Sequence, residues 1–235
     1  MIASAHLARL ARLTTPHLAD ACVRRGLDVR IGPPGLAGVL PGVRFAGRAL
    51  PVRHAGSVDV YLEALEHATA GDVLVVDNGG RLDEACVGDL VALEVRMAGL
   101  AGILIWGLHR DTVDILEIGL PVASLGASPT GPLTVRARAQ DALDRARLGE
   151  VVVTRVDAVV VDEDGALVIA LDRLDEVIAT AEGIRDTERA QAERIAGGRS
   201  LREQVRFPEF LAAREVDPTL TFRDHLRRVG GEIEV

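Results

Sequence analysis

Lysine is absent from this 235-residue sequence, in which all 27 basic residues are arginine. Without lysine, no Schiff base can form with a carbonyl substrate or with pyridoxal phosphate, which excludes amine-nucleophile aldolases and pyridoxal enzymes. A Walker phosphate-binding loop, which requires its lysine, is excluded as well. The sequence therefore excludes enzymes whose mechanism uses a lysine side chain as nucleophile.

Aromatic residues are also scarce: Phe, Trp and Tyr make up 3% of the chain, a poor composition for stacking nucleobases or sugars. The net charge of −8 argues against a nucleic-acid partner. The two cysteines, Cys22 and Cys86, lie in apolar surroundings, which predicts buried thiols in a reducing compartment. The six histidines have neither an HxH nor an HExxH spacing, so a histidine-based zinc site has little support.

No stretch reaches the roughly 18 apolar residues of a membrane span, and the N-terminus lacks the apolar core of a signal peptide. We therefore expect a cytoplasmic protein that does not interact with membranes. Its 48% hydrophobic and 26% charged residues are typical of a globular protein with a substantial core.

Residues 43–125 alternate between predicted strands and helices, as βαβ units do. The segments 72–77 (DVLVVD) and 102–106 (GILIW) are short and apolar, typical of strands buried on both faces. Further helices are predicted at 90–98, at 57–71 with Ser57 as its cap, at 112–118, and after Thr15 as N-cap. The segment 31–42, rich in glycine and proline, predicts a loop without strands.

After Gly131 the pattern changes to antiparallel strands, with a hairpin turn at Asp164-Gly165, and then to a long charged helix over 172–196. We expect an α/β fold with a central mixed sheet flanked by helices and a C-terminal helical extension. Residues 1–200 are predicted to form a single domain. Residues 201–235 are predicted to be an extension that packs on the body or on a neighbouring subunit.

Polar residues stand at two ends of this βαβ pattern, where parallel α/β structures bind ligands. Gly88-Asp89 precedes the helix at 90–98, whose free N–H groups suit a small anion such as a carboxylate. Arg110-Asp111 follows the strand at 102–106. Structural roles are open for all three side chains, since both aspartates could cap helices and Arg110 could be a surface residue. If they share one crevice, its carboxylates suit Mg²⁺ or Mn²⁺.

The spacing of these residues resembles that of a known family. Asp89, twenty intervening residues and then Arg110-Asp111 match the signature of the class II pyruvate aldolases, which cleave 4-hydroxy-4-methyl-2-oxoglutarate and 4-carboxy-4-hydroxy-2-oxoadipate. These enzymes share a fold with the RraA regulators of ribonuclease E. The segments GDVLVVDNGG, LPV and DEDG follow in the family's order, and the resemblance covers about residues 14–202.

The resemblance implies a swivelling β/β/α domain assembled as a homotrimer or hexamer, with sites between subunits. In such a site Asp111 holds Mg²⁺ or Mn²⁺. Arg110 contacts the pyruvoyl oxygen and stabilises the enolate formed on C–C cleavage. The N–H groups around Gly88, Leu90 and Val91 hold the substrate carboxylate.

The resemblance also implies that Asp89 acts through a water as the base on the C4 hydroxyl. A glutamate on the neighbouring subunit's long helix completes the metal shell; Glu188 is the best match by position, and Glu193 is close. Two features depart from the family. His109 stands where a valine is common, and we expect it to point outward rather than act as a second acid or base. An arginine-rich tail begins near Val205.

The predicted function is that of a metal-dependent lyase that releases pyruvate from a 4-hydroxy-2-oxo diacid, with oxaloacetate decarboxylation as a side reaction. The absence of lysine agrees with a metal-dependent enolate. The alternatives are a protein-binding regulator of ribonuclease E on the same scaffold and a catalytically silent trimer. The regulators are expected to lack the acid after the arginine, so Asp111 favours the enzyme.

Overall fold

The computed structural model describes residues 2–230, and the bounds of the elements in that range are as follows. The strands are β1 (Arg30–Ile31), β2 (Ala37–Gly38), β3 (Phe45–Arg53), β4 (Val73–Asp77), β5 (Ala85–Val87), β6 (Gly102–Trp106), β7 (Leu108–His109), β8 (Val122–Ser124), β9 (Arg145–Leu148), β10 (Val151–Thr154), β11 (Asp157–Asp162) and β12 (Gly165–Ala170). The helices are α1 (Ser4–Leu10), α2 (Thr15–Arg24), α3 (Asp59–Leu65), α4 (Asp89–Met97), α5 (Thr112–Ile118), α6 (Leu174–Ala196), α7 (Leu201–Gln204), α8 (Phe207–Val216) and α9 (Phe222–Val229).

Eight strands form one mixed sheet in the order β1-β12-β11-β3-β4-β6-β8-β2. Strands β3, β4, β6 and β8 run parallel to one another and form what we call the parallel half. Strands β1, β12 and β11 pair antiparallel and form the antiparallel half. This confirms the predicted α/β architecture with a central mixed sheet and flanking helices.

Strands β4 and β6 are apolar along almost their whole length because both faces of the parallel half are covered. Along β4, Leu74 and Val76 face a core formed with α3, α4 and α5, whereas Val73 and Val75 face a core that includes the β9–β10 hairpin. Alternate side chains of a strand point to opposite faces, so a strand covered on both sides needs no polar position. Burying each such side chain contributes roughly 1.5–3 kcal/mol. A third core packs α1, α2 and α6 on the antiparallel half.

Two predicted helix caps are wrong by one residue. Thr14, not Thr15, is the N-cap of α2, because its Oγ1 accepts the His17 N–H. Thr15 is recruited elsewhere: its N–H and hydroxyl both donate to Asp162. Helix α3 begins at Asp59 after Val58, so Ser57 does not cap it.

The segment 31–42 was predicted to be a loop without strands, but it contains parts of two short strands. Strand β1 pairs with β12, and strand β2 pairs with β8, so these two-residue strands cover opposite edges of the sheet. Unpaired strand edges expose hydrogen-bonding groups, and short edge strands satisfy them.

The predicted hairpin turn is confirmed, with Asp162 facing Gly165 across β11 and β12. Both cysteines are buried, as expected.

The tail contacts the end of α6 and carries a small aromatic cluster. Gln204 Nε2 donates to the backbone oxygen of Gln191 on α6, at 3.3 Å. Phe207, Phe210 and Phe222 pack together with ring centroids 5.0–5.7 Å apart. Pro208 stands in the first turn of α8, where its missing N–H costs nothing, so it starts a helix rather than breaking one. In the range described, every helix is too short or too polar to span a lipid bilayer.

Candidate functional site

The two polar segments identified in the sequence lie next to each other. Strands β5 and β7 pair in parallel, with Ala85 opposite Leu108 and Val87 opposite His109. The Arg110 N–H then donates to the Val87 oxygen at 2.9 Å. This short ladder joins the start of α4 to the segment before α5. The crevice expected from the position of both segments at the ends of parallel strands is therefore present within one chain.

Gly88 is the point of closest approach in this crevice. A Cβ atom built on Gly88 would lie 2.4 Å from Asp111 Oδ2 and 3.2 Å from Arg110 Nε. Any side chain here would displace the carboxylate, so the absence of one lets Asp111 and Arg110 lie against the start of α4. The Arg110 and Asp111 side chains are 47% and 34% exposed, and Arg110 Nε lies 3.2 Å from Asp111 Oδ2.

Asp111 has a strained backbone conformation. Its φ of 57° and ψ of 43° place it in the left-handed region, and its side chain makes no capping hydrogen bond to α5. A non-glycine residue held in this way costs on the order of 1–3 kcal/mol, and such strain clusters at functional sites. The geometry thus argues against a simple capping role for this carboxylate.

Asp89 is the first residue of α4, and Gly88 is its N-cap. Asp89 Oδ1 lies 2.8 Å from its neighbour's amide, the Leu90 N–H. The first-turn N–H groups of a helix lack intrahelical acceptors, so the Val91 amide lies where an anion can bind, and the Leu90 amide becomes available when Asp89 turns away from it. The Asp89 carboxylate therefore both satisfies one amide of the helix start and lies in the wall of the adjacent cavity.

A cavity of about 270 Å³ opens in front of the start of α4. Its wall combines backbone amides, one arginine and one histidine with apolar side chains. The lining residues are His54, Ser57, Val58, Tyr61, Ala85, Cys86, Gly88, Asp89, Leu90, Val91, Arg110 and Pro132. Asp111 lies beside this wall, against Gly88 and Arg110. A small carboxylic acid could be held here by α4 amides while its other oxygens face Arg110.

His109 points inward, so the expectation that it faces outward is wrong. It is 5% exposed, with Nδ1 2.8 Å from Ser124 Oγ and Nε2 3.1 Å from Thr112 Oγ1. Ser124 Oγ donates to the Gly126 oxygen, so it must accept from His109 Nδ1–H. Burial lowers the pKa of His109, which favours the neutral ring, and the Thr112 hydroxyl then donates to Nε2.

This network braces the strained residue. His109 and Thr112 flank Arg110-Asp111 in the chain, and their side chains are bonded to each other while Ser124 anchors them to β8. We call these three residues the histidine clamp. The clamp holds both ends of the segment whose middle residue has a left-handed backbone. The sequence contains the residues, but not their mutual contact.

His54 is a site residue that sequence reasoning missed. It stacks on buried Tyr61 with ring centroids 5.4 Å apart, and its Nδ1 lies 2.9 Å from Asn78 Oδ1. Burial lowers the pKa of His54, partly offset by the hydrogen bond to Asn78. Its position just after β3, at the same edge of the sheet as the other site residues, was the available signal.

Glu188 lies on the exposed side of α6, where its Oε2 is 3.1 Å from His17 Nε2. Glu193 is also exposed on this helix. Across residues 2–230, no group of three or more His, Cys, Asp or Glu side chains is placed to hold a metal ion. Within these residues Asp111 therefore lies without two further potential metal ligands beside it.

The family model described as RraA-like, Aldolase/RraA, matches residues 15–168 of this chain. The chain belongs to the RraA-like family. A Deinococcus radiodurans protein named "Putative 4-hydroxy-4-methyl-2-oxoglutarate aldolase" is 32% identical over 129 residues, which are 55% of this chain and 79% of that protein.

Two solved structures resemble this RraA-like protein closely in fold. An uncharacterized protein from Pseudomonas syringae pv. tomato superposes with a TM-score of 0.73 at 26% identity, over 86% of this chain and 97% of that one. Streptomyces coelicolor RraAS2, described as an unusual member of the RNase ES inhibitor RraA family, superposes with a TM-score of 0.70 at 26% identity, over 80% and 96%. The family thus includes members named for an aldolase and members named for RNase inhibition.

Proposed function

We propose that this RraA-like protein is a divalent-metal-dependent lyase. It cleaves a 4-hydroxy-2-oxo diacid to pyruvate and a second 2-oxo acid, with oxaloacetate decarboxylation as a side reaction. The observation that carries the proposal is the meeting of Asp111, Arg110 and the start of α4 at Gly88, where a Cβ would lie 2.4 Å from the carboxylate. An anion cradle, a cation and carboxylates are then within reach of one small substrate.

The α4 amide of Val91 would bind the C1 carboxylate of the substrate, together with the Leu90 amide once Asp89 turns from it to the C4 hydroxyl. Free N–H groups and the helix dipole both favour a negative charge at this position. With the carboxylate so held, the adjacent 2-oxo group faces Arg110. A fixed cation next to this oxygen stabilises the negative charge that develops there during cleavage.

Asp89 would act as the base, directly or through a water. It takes the proton of the C4 hydroxyl, whose oxygen then forms the new carbonyl. The C3–C4 bond breaks, and its electron pair moves into an enolate whose oxygen lies against Arg110. Protonation of the enolate at C3 yields pyruvate, so atoms and charges balance without a redox partner.

The donor set at Asp111 fits Mg²⁺ or Mn²⁺. These ions bind through one or two carboxylates and keep several waters, and the Asp111 carboxylate is one-third exposed next to the substrate cradle. Asp111 would hold the ion, and Glu188 of a neighbouring copy would add a second carboxylate. The bound ion would supply Lewis-acid polarisation of the 2-oxo group.

Assembly as a homotrimer or hexamer belongs to the same proposal. Leu90, Leu93 and Met97 form an exposed apolar stripe on α4, and Val113 and Leu116 extend it on α5. Exposed apolar patches of this kind mark interaction surfaces. The stripe begins at the substrate cradle itself, which supports a site completed between subunits.

A regulator of ribonuclease E that acts only by protein binding is the second candidate. It is favoured by the likeness to the Streptomyces protein described as belonging to an RNase inhibitor family. The strained Asp111 and its approach to Gly88 favour the lyase, because a binding surface has no need of a carboxylate held in this way.

The test is pyruvate release from 4-hydroxy-4-methyl-2-oxoglutarate and from oxaloacetate, measured with Mg²⁺ or Mn²⁺ and after chelation. The proposal expects turnover with metal that is lost with the chelator and restored by added metal. Turnover that is absent with both metals, or unchanged by the chelator, would overturn it.

A further inference from the structure

A histidine, His54, lies in the wall of the candidate crevice together with Asp89 and Arg110. The cavity in front of α4 measures about 270 Å³, so one small substrate can contact all three side chains. Cleavage of a 4-hydroxy-2-oxo acid requires two proton transfers, one from the C4 hydroxyl and one to C3 of the enolate. Asp89 serves the first transfer in the proposed reaction, and a proton donor is needed for the second.

Three contacts fix the His54 ring in the crevice. The His54 backbone N–H donates to the Asp77 oxygen at 2.9 Å, which continues the ladder between β3 and β4. The ring stacks on Tyr61 with the two ring planes 2° apart. The Tyr61 hydroxyl in turn donates to the Cys86 oxygen at 3.1 Å, two residues before Gly88. The ring is therefore held at a fixed position relative to the start of α4.

The two nitrogens of the His54 ring have different surroundings. Nδ1 lies 2.9 Å from Asn78 Oδ1, which carries no hydrogen, so Nδ1 is the donor. Burial lowers the pKa of His54, so the ring is neutral near pH 7 and Nε2 has a free lone pair. Within residues 2–230 Nε2 has no hydrogen-bond partner, and, unlike Asn78 Nδ2, it is not fully buried. His54 thus has one nitrogen that orients the ring and one that is open to a proton.

The contrast with His109 shows that His54 is more than a packing residue. Both ring nitrogens of His109 are engaged, Nδ1 with Ser124 and Nε2 with Thr112, and the side chain is buried. His54 has only its Nδ1 engaged, and it lies in a cavity wall. A neutral ring whose Nδ1–H is held by an acceptor, with Nε2 free, is the arrangement of a general acid–base catalyst.

We infer that His54 is a catalytic residue that delivers the proton to C3 of the enolate. Nε2 first accepts the proton that Asp89 has taken from the C4 hydroxyl, which makes the ring an imidazolium and restores the Asp89 carboxylate. After the C3–C4 bond has broken, Nε2 gives this proton to C3, which forms the methyl group of pyruvate and leaves the ring neutral. One proton moves from oxygen to carbon, so no external acid is needed. The inference rests on the proposed function for the identity of the enolate.

Exchange of the methyl protons of pyruvate with D₂O tests this step directly, because it is the reverse of the C3 protonation. Proton NMR with Mg²⁺ present measures the exchange rate. We expect the rate in His54→Gln to be at least 100-fold below that of wild type. His67→Gln is the matched control, since His67 is exposed and lies outside the cavity wall. Equal exchange rates in the two variants overturn the inference.

Added bases distinguish proton transfer from packing. His54→Ala leaves a space of the size of the ring, and its lost exchange should recover at least 10-fold when imidazole is added. 1,2,4-Triazole has nearly the same shape but is a much weaker base, so it should fill the space without restoring exchange. Equal recovery with the two compounds would show that the ring only packs against Tyr61, which overturns the inference.

The exchange measurement also separates this inference from the proposed function, because it uses pyruvate alone. Exchange that depends on His54, without pyruvate release from a 4-hydroxy-2-oxo diacid, counts only against the lyase. Pyruvate release by wild type with exchange that is unchanged in His54→Gln counts only against His54. The absence of exchange in the wild-type protein overturns the inference.

Discussion

Aspartates in the two halves of the sheet have opposite environments. In the antiparallel half, Asp162 is buried and accepts hydrogen bonds from the Thr15 N–H, the Thr15 hydroxyl and the Asp164 N–H. Beside the parallel half, Asp111 is one-third exposed and lies on a strained backbone, and within residues 2–230 its one charged partner is Arg110 Nε. A carboxylate whose oxygens accept several hydrogen bonds from distant segments stabilises the fold. A carboxylate whose oxygens lack such donors can bind a ligand.

Asp157 supports the same distinction. It is buried at the start of β11, pairs with Arg30 at 2.6 Å and accepts the Thr154 N–H at 2.8 Å. Like Asp162 it joins segments distant in sequence. In the antiparallel half Asp157 and Asp162 thus hold distant segments together, whereas Asp89 and Asp111 beside the parallel half lie at a cavity. The following predictions test whether substitutions at the candidate site lower activity while substitutions at the structural aspartates lower stability.

The largest effect is expected from Gly88→Ala. The new methyl group would occupy the space of Asp111 Oδ2 and push the carboxylate away, so kcat/KM for pyruvate release should fall about 100-fold or more. Gly183→Ala is the matched control, because a Cβ there meets nothing within 4 Å and alanine suits a helix better by roughly 0.5–1 kcal/mol. Near-equal activities of the two variants would show that the close approach at Gly88 is unimportant.

Asp162→Asn should show the reverse behaviour. An amide cannot accept all the hydrogen bonds that the carboxylate accepts from Thr15 and Asp164, so the free energy of unfolding should drop by about 2–3 kcal/mol. Urea denaturation measures this loss. Activity per folded molecule, assayed well below the unfolding midpoint, should stay within 2-fold of wild type. A variant that is stable but inactive would place Asp162 in the chemistry instead.

A smaller effect is expected from the histidine clamp. Thr112→Val removes the hydroxyl that bonds to His109 Nε2, so Asp111 is held less precisely and kcat should fall about 5- to 10-fold. Thr112→Ser keeps the hydroxyl and should recover most of the loss. The kcat values of both variants are measured by steady-state kinetics. If serine and valine have the same effect, the bond does not position Asp111.

The sequence predicted the site's main chain better than its side-chain contacts. The polar segments Gly88-Asp89 and Arg110-Asp111 could be expected to meet, because ligand sites lie at the ends of parallel strands. The partners of His109 could not be foreseen, because Ser124 comes from a different strand. The contact between Thr15 and Asp162 joins residues 147 positions apart, which no local pattern reveals.

Element boundaries were the weaker part of the fold prediction. Local propensity makes Thr14 and Thr15 equally good caps, and only the recruitment of Thr15 by Asp162 decides between them. The short strand β2 forms because β8 offers an edge to pair with, a tertiary effect that its own glycine-rich sequence does not indicate. The buried strands β4 and β6 were predicted accurately because their composition alone specifies burial on both faces.

Asp111→Asn is the most direct test of the central claim that this open carboxylate supports metal-dependent cleavage. The substitution keeps the shape and tolerates the left-handed backbone, and Asp114→Asn on the same helix is the control. With Mg²⁺ present, we predict that kcat/KM for pyruvate release falls at least 100-fold in Asp111→Asn, with a free energy of unfolding within about 1 kcal/mol of wild type. Asp111→Asn activity equal to that of Asp114→Asn would contradict the account.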